Sequence, residues 1–360
     1  MKRLLVKTIT LFYFCLSIIC FGQTTQNQTV KGIYSFAYGP NFPKSASLTL
    51  PYISGMTAYW GWRDIEPTEQ NFHFSNIDSL LDWAALNKKV INVGYFLGDF
   101  TPEWAIARGI KVINWTKNYT EDEQRYFKKP TEPQRSPIPW DSVYLNLWKK
   151  AVVQIANRYK NHPGLGAVAI SGPTMRDLSC GLQITKPLEW EEFKQNGYSP
   201  EILFQAWKMM IEFYVNQFQG HPLYLVIGPE KPATNDVTLA TKIINYLIEK
   251  NYPNITVQCV FLNDTWFLTG GAAVKIRALL RRYYEAGHPI SFQMAQSAQR
   301  NDTWKGKKIV QSLNACLNIG IESNASWIEV WHDDIIMRSD RKTPNTNYQT
   351  TIQEAANKLK

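Results

Sequence analysis

Cysteine is scarce in this sequence, and no cysteine spacing typical of metal binding occurs. Five cysteines are present among 360 residues, and two of them, Cys15 and Cys20, lie in an apolar N-terminal stretch. Cys180, Cys259 and Cys316 remain, an odd number without a CxxC pair, so at most one disulfide can form. The composition excludes a disulfide scaffold and indicates no metal site. A chain of this length can bury a large core unaided.

The sequence also has no block of basic residues of the kind that follows a phosphate backbone. Its formal net charge is +9. Residues 1–22 contain Lys2, Arg3 and Lys7 and no acidic residue, so the charge without them falls from +9 to +6. The remaining positive charges are scattered along the chain, which excludes nucleic acid as the expected partner.

A long apolar run that could span a membrane is missing as well. The run Leu11–Phe21, interrupted only by Ser17, follows the basic start and is too short for a span. This pattern predicts a signal peptide over residues 1–22, cleaved after Gly22, and a flexible polar segment over 23–30. The mature chain is then expected to be secreted or periplasmic, with no transmembrane span.

A surface lipoprotein, acylated at Cys20, is the alternative for the N-terminus. A small residue is expected beside a lipidated cysteine. Ile18 and Ile19 stand there instead, so secretion without an anchor is the favoured interpretation.

Apolar runs typical of buried strands alternate with helical patterns along the whole chain. Eight such runs are present: Gly32–Tyr38, Gly55–Trp60, Val90–Leu97, Gly166–Ser171, Leu223–Gly228, Thr256–Leu262, Ile290–Ala295 and Ser326–Trp331. They are nearly continuous rather than alternating, as expected of parallel strands buried on both faces. The predicted fold class is α/β, with one (β/α)8 TIM barrel over residues 31–360.

Two predicted connections are long, Gly98–Asp141 after the third strand and Gly172–Tyr198 after the fourth. Both follow the carboxyl ends of strands, where barrel enzymes build their sites. They carry several of the thirteen tryptophans of the chain. Tryptophan faces can stack on sugar rings, but they can equally pack in the core, and composition alone does not separate the two roles.

One segment, Met56–Phe74, carries a specific motif after the second strand. It reads MTAYWGWRDIEPTEQNFHF. It resembles the corresponding segment of barrel glycoside hydrolases related to β-galactosidases and cellulases. The resemblance implies a structural role for Glu66 and places Trp62 and Arg63 near the sugar. Those enzymes have glycine where Asn71 stands, and we expect Asn71 to supply the left-handed turn.

The segment Val93–Trp104, VGYFLGDFTPEW, resembles the end of the third strand in the same enzymes. There a tryptophan shortly after the strand often faces the cleft. The resemblance makes Trp104 a candidate for stacking on a sugar ring. Packing within the loop is the alternative role.

The last predicted strand contains a carboxylate between two indoles, in the segment SWIEVWHDD. Trp327, Glu329 and Trp331 share one face of a strand, and Ile328 and Val330 share the other. The first face is predicted to point into the barrel near its mouth. Burying a carboxylate costs several kcal/mol unless it is paired or used, so Glu329 is a candidate nucleophile, general acid or hydroxyl acceptor. An internal ion pair with an arginine or lysine is the alternative.

The second carboxyl group of a glycosidase is harder to place. The resembled enzymes carry one Glu at the end of strand four and one at the end of strand seven, whereas this chain has Ser171-Gly172 and Gln293 there. Other acids follow strands: Asp177 after the fourth, Glu230 after the fifth and Asp264 after the sixth. Each could instead be a cap or a solvated turn residue.

Three explanations of this departure stay open: a strand count that is off by one, an acid pair on other strands, or a barrel that binds sugar without cleaving it.

We predict a secreted glycoside hydrolase that needs no cofactor and acts on a poly- or oligosaccharide. A non-catalytic carbohydrate-binding barrel is the alternative. The catalytic candidates are Glu329 with Asp177 or Glu230, and the substrate-binding candidates are Trp62, Arg63, Trp104, Asp264, Gln293 and Trp331. The sequence gives no prediction of the oligomeric state.

Overall fold

Eight parallel strands close into a barrel in the computed structural model. The structure describes residues 30–36, 46–115, 134–175, 178–182, 187–229, 235–300, 303–304, 307–337, 339–340 and 342–360. The predicted signal peptide, residues 1–22, and nearly all of the segment 23–30 lie outside the described residues. Within them, no helix combines the length and the apolar character needed to span a membrane.

The barrel strands coincide with the eight predicted apolar runs. They are β1 (Gly32–Phe36), β2 (Gly55–Gly61), β3 (Val90–Phe96), β4 (Leu165–Ala169), β5 (Leu223–Ile227), β6 (Ile255–Leu262), β7 (Ile290–Met294) and β8 (Ala325–Trp331). Strand β1 pairs with both β2 and β8, which closes the sheet. The predicted single (β/α)8 barrel is therefore confirmed, and its eight strands lie in sequence order around the cylinder.

In the described part of the chain, seven helices pack around the strands: α1 (Ser75–Leu86), α2 (Ser142–Tyr159), α3 (Pro200–Phe218), α4 (Thr238–Lys250), α5 (Gly271–Glu285), α6 (Leu313–Glu322) and α7 (Thr346–Lys358). At the start of four of these helices, a side chain accepts a hydrogen bond from a backbone N–H. The capping residues are Asp141 for α2, Ser199 for α3, Ser312 for α6 and Asn345 for α7. These polar caps satisfy donors that the first helical turn leaves unpaired. Each of these helices therefore begins where the sequence places a capping residue.

Shorter elements follow the carboxyl ends of the strands. They are the helices Trp62–Ile65, Glu103–Ile106, Pro187–Gln195, Trp266–Thr269 and His332–Ile335, the 3-10 turn Gly98–Phe100, and two antiparallel ribbons, Val112–Trp115 with Gln134–Pro137 and Thr303–Trp304 with Lys307–Lys308. They build the mouth of the barrel. The connections after β3 and β4 reach α2 and α3 only at Ser142 and Pro200.

Large aromatic side chains fill much of the core. Trp62, Trp148, Trp207 and Trp327 are fully buried. Among the tryptophans of the long connections, Trp140 and Trp190 both contact Phe193 and Tyr198. These indoles pack against protein rings, so part of the high tryptophan content serves the fold.

Candidate functional site

Glu329 points into the barrel, as the strand period predicts. Its Oε1 accepts hydrogen bonds from Thr57 Oγ1 at 2.7 Å and from Gln258 Nε2 at 2.8 Å. Thr57 lies on β2 and Gln258 on β6, and neither strand is a neighbour of β8. The carboxylate therefore meets side chains from across the interior. Ile328 points the other way, because a Cβ added to Gly320 on α6 would meet its side chain at 2.5 Å.

This carboxylate is enclosed, and the described donors that contact it are neutral. Glu329 has 0 % exposed surface, and a third bond, from Trp327 Nε1, reaches Oε1 at 3.3 Å. Oε2 has no hydrogen-bond partner among the described atoms. Burial raises the pKa of Glu329 to about 7, although the bonds from Thr57, Gln258 and Trp327 act in the opposite direction. The alternative of an internal ion pair finds no support in these contacts, since all three donors are neutral.

Two tyrosines complete the surroundings of Glu329. Tyr34 on β1 stands opposite it in the strand register, and Tyr224 on β5 meets the Trp327 ring edge-on at 6.0 Å. Burial, with a smaller contribution from the charge of Glu329, raises the pKa of both phenols far above the ordinary value. Both tyrosines therefore stay protonated at neutral pH.

Trp331 lies one inward position further towards the mouth. Its Nε1 donates to the Met294 carbonyl at 2.7 Å, and Phe36 meets its ring edge-on at 4.9 Å. The guanidinium carbon of Arg300 sits 4.5 Å from the ring centroid, a cation–π contact. Gln293 on β7 is paired in register with Glu329 and is also buried. The predicted candidates Glu329, Gln293 and Trp331 thus come together at this end of the barrel.

The motif after β2 forms a structural unit around Glu66. Its Oε2 accepts from Trp62 Nε1 at 2.8 Å, its Oε1 from the Gln70 N–H at 2.9 Å, and its carbonyl from Trp104 Nε1 at 2.9 Å. The structural role that the resemblance implies for Glu66 agrees with these bonds. The left-handed residue of the turn is Gln70, with φ 63°, and not Asn71 as we expected. The bond to Glu66 holds the Gln70 amide in that conformation.

The candidate substrate-binding residues of this motif and of the next loop, Trp62, Arg63 and Trp104, differ in their exposure to solvent. Trp62 is fully buried, and its ring contacts Trp104, Tyr144 and Trp148 at centroid distances of 5.8, 6.1 and 5.4 Å. As placed, it offers no exposed face to a ligand. Trp104 is half-buried, whereas Arg63 is exposed and lies over the Phe100 ring at 4.7 Å.

Replacing Glu66 by alanine is expected to lower the free energy of unfolding by about 2 kcal/mol, because Trp62 Nε1 and the Gln70 amide lose their acceptor. Chemical denaturation followed by tryptophan fluorescence would measure the change. Glu69→Ala is the matched control, since the ion pair described for Glu69, with Arg108, lies at the surface and its loss should cost under about 1 kcal/mol. Equal losses in the two variants would contradict the structural role of Glu66.

The candidate second carboxyl groups are not brought together with Glu329 by the described contacts. Asp264 is half-buried, and its Oδ1 accepts from the Gln311 N–H at 3.0 Å, which ties the loop after β6 to the segment before α6. Asp177 and Glu230 lie outside the described residues. Within the described chain, no group of three or more His, Cys, Asp or Glu side chains could hold a metal ion.

Several residues of the site were not predicted from the sequence. Thr57 and Gln258 hold Glu329, and a polar residue at an inward position of an apolar strand is the signal that could have found them. Asp334 is buried and accepts from Ser297 Oγ at 2.8 Å and from the Ala298 N–H at 3.0 Å. Burial raises the pKa of Asp334 to about 6. These bonds join the loops that follow β7 and β8.

Comparison with known proteins shows the fold. No known protein family and no curated protein sequence matches the chain. The solved structures that are similar include the catalytic domain of β-amylase from Paenibacillus polymyxa, with a TM-score of 0.62, 8 % identity, and coverage of 91 % of this chain and 98 % of that one. They also include β-galactosidase from the psychrophilic Marinomonas ef1, with a TM-score of 0.56, 12 % identity, and coverage of 91 % of this chain and 59 % of that one. These likenesses show that the chain has a (β/α)8 barrel fold.

Proposed function

We propose that this protein is an exported glycoside hydrolase that cleaves a poly- or oligosaccharide with Glu329 as an acidic catalytic group. The observation that carries the proposal is a fully buried carboxyl with a pKa of about 7 inside a barrel of the glycoside hydrolase type. A carboxyl of this pKa is still protonated in about half of the molecules at neutral pH, as a general acid requires. Export rests on the N-terminal sequence pattern alone.

The free oxygen of Glu329 would carry the chemistry. Oε1 is occupied by three donors, whereas Oε2 has no partner among the described atoms. A proton on Oε2 could pass to the oxygen of a leaving sugar. Hydrolysis requires a second carboxyl group on the other side of the scissile bond, at about 5–9.5 Å from the first. We assign that role to Asp177 or Glu230, which follow β4 and β5 in the sequence.

The substrate would lie across the mouth of the barrel. Gln293 and Trp331 stand next to Glu329 in the strand register and one inward position above it. Arg63, Trp104 and Asp264 follow β2, β3 and β6 at the same end. Indole faces and polar side chains in one cleft suit sugars, which present apolar C–H faces and hydroxyl groups.

A second candidate function is carbohydrate binding without hydrolysis, and one observation favours it. Glu329 has 0 % exposed surface, so a sugar can reach it only if neighbouring side chains move. The ends of β4 and β7 also carry Ser171 and Gln293 where the resembled enzymes have glutamates. In this case the mouth would retain the sugar, and Glu329 would act only within the barrel interior.

An oligosaccharide panel distinguishes the two functions. The purified protein is incubated with neutral and acidic oligosaccharides, and new reducing ends and binding heats are both recorded. Product release by the wild type supports the hydrolase. Saturable binding without product release supports the binding barrel, and neither signal on a broad panel contradicts both. A Glu329→Gln preparation purified in parallel controls for contaminating glycosidases.

A further inference from the structure

A second pocket opens on the face of the barrel opposite the proposed site. It has a volume of about 680 Å³. Its rim includes residues of the turns that lead into strands: Lys31 before β1, Lys88 before β3, Lys160 before β4 and His221 before β5. Because parallel strands share a direction, these residues meet at the amino ends of the barrel strands. The pocket is therefore separate from the mouth.

Among the described residues, the charged groups that line this pocket are of one sign. Three lysines and two histidines of this part of the chain line it, and none of its aspartates or glutamates does. Lys31, Lys88 and Lys160 form no ion pair within the described part of the chain. Asp82 lies 3.1 Å from Nε2 of His162, so this acid engages a histidine of the pocket and not a lysine. Three ammonium groups around one hollow repel each other, and a bound anion would relieve that repulsion.

The inner wall of the pocket comes from the barrel itself. Gly166 on β4 and Tyr34 on β1 both line it. A Cβ at Gly166 would stand 2.4 Å from Asn92 Oδ1, so any larger residue would collide with the interior. Most barrels fill these inward positions with bulky branched side chains. Apolar groups such as Leu165 and Phe218 also line the pocket, which leaves room for an organic body beside an anionic group.

We propose that this pocket is an anion site that binds a small organic molecule through phosphate or sulfate groups, with Lys31, Lys88 and Lys160 as the cationic ligands. The lysine ammonium groups supply the charge and the hydrogen-bond donors. Burial lowers the pKa of His221, so this histidine adds no positive charge at neutral pH. The proposal does not depend on the chemistry at Glu329, since it rests on the opposite face of the barrel.

Calorimetric titration with inorganic pyrophosphate and with sulfate tests the site. We expect saturable binding with one site per chain, weaker at about 0.15 M salt than at low ionic strength. The double variant Lys88→Gln/Lys160→Gln should raise the Kd at least about tenfold, since it removes two of three ligands. Lys111→Gln, at an exposed lysine outside the pocket, is the control and should bind like the wild type.

The outcomes separate the ligands and the failures. Binding of pyrophosphate alone assigns the site to phosphate groups, and equal binding of sulfate assigns it to the charge that both anions share. If the double variant does not fold, Lys31→Gln gives the same test with one exposed side chain changed. No saturable binding of either anion would overturn the proposal. An unchanged Kd in the lysine variants, or an equal loss in Lys111→Gln, would overturn it as well.

Discussion

Glu329→Gln is expected to lower kcat for glycosidic hydrolysis by about 10²–10⁴-fold, the usual contribution of a positioned general acid. The amide has the shape of the carboxyl, and its oxygen can still accept from Thr57, Gln258 and Trp327. The fold is therefore preserved while the transferable proton is lost. Initial rates of product release on a hydrolysed oligosaccharide, at saturating substrate, measure the effect.

The matched control for this experiment is Glu322→Gln. Glu322 is an exposed glutamate on α6, so its loss should leave kcat unchanged. If Glu329→Gln releases product at the wild-type rate, Glu329 is not part of the mechanism. Hydrolysis would then require the carboxyl groups that follow other strands.

The stability of the protein is expected to fall by about 3 kcal/mol through Glu329 alone as the pH rises from about 4.5 to about 7. The unfolded chain releases this proton near the ordinary pKa of 4.5, whereas the folded chain keeps it until the raised pKa of about 7. The folded state therefore binds more protons across this interval. The free energy of unfolding decreases with pH there and stays level above it.

Comparison with Glu329→Gln isolates this contribution, because Asp334, with its own pKa raised to about 6, changes stability in the same direction in both proteins. Urea denaturation at several pH values between about 4.5 and 8 gives the free energies. The variant should gain up to about 3 kcal/mol over the wild type as the pH rises. A difference between the two proteins that does not change with pH would contradict the raised pKa.

The barrel could be predicted from the sequence because its strands are buried on both faces. Such strands appear as continuous apolar runs, and the matching positions of β1 to β8 follow from that single property. The inward direction of Glu329 followed from the period of two along a strand. Its partners did not, because the stagger that brings Thr57 and Gln258 to Glu329 arises only when the sheet closes.

The role of each tryptophan could not be read from residue type. Trp62 and Trp104 occur in one motif, yet the first is enclosed by aromatic rings and the second is half-buried. Both donate to Glu66, so these bonds do not account for the difference in burial, whereas the rings of Tyr144 and Trp148 around Trp62 do. The lysines of the second pocket are also far apart in the sequence, so the sequence alone did not bring them together. They meet because each one precedes a parallel strand.

Acid catalysis by Glu329 requires a carboxyl that is enclosed, that has no cationic partner among the described contacts and that is therefore hard to ionise. Carbon-13 NMR of side-chain carboxyl groups, with the Glu329 signal assigned by its loss in Glu329→Gln, measures this directly. A titration midpoint near 7 is the predicted result. A midpoint at or below 4.5 would show a carboxylate that is hydrated or ion-paired, and the proposed acid would then be lost.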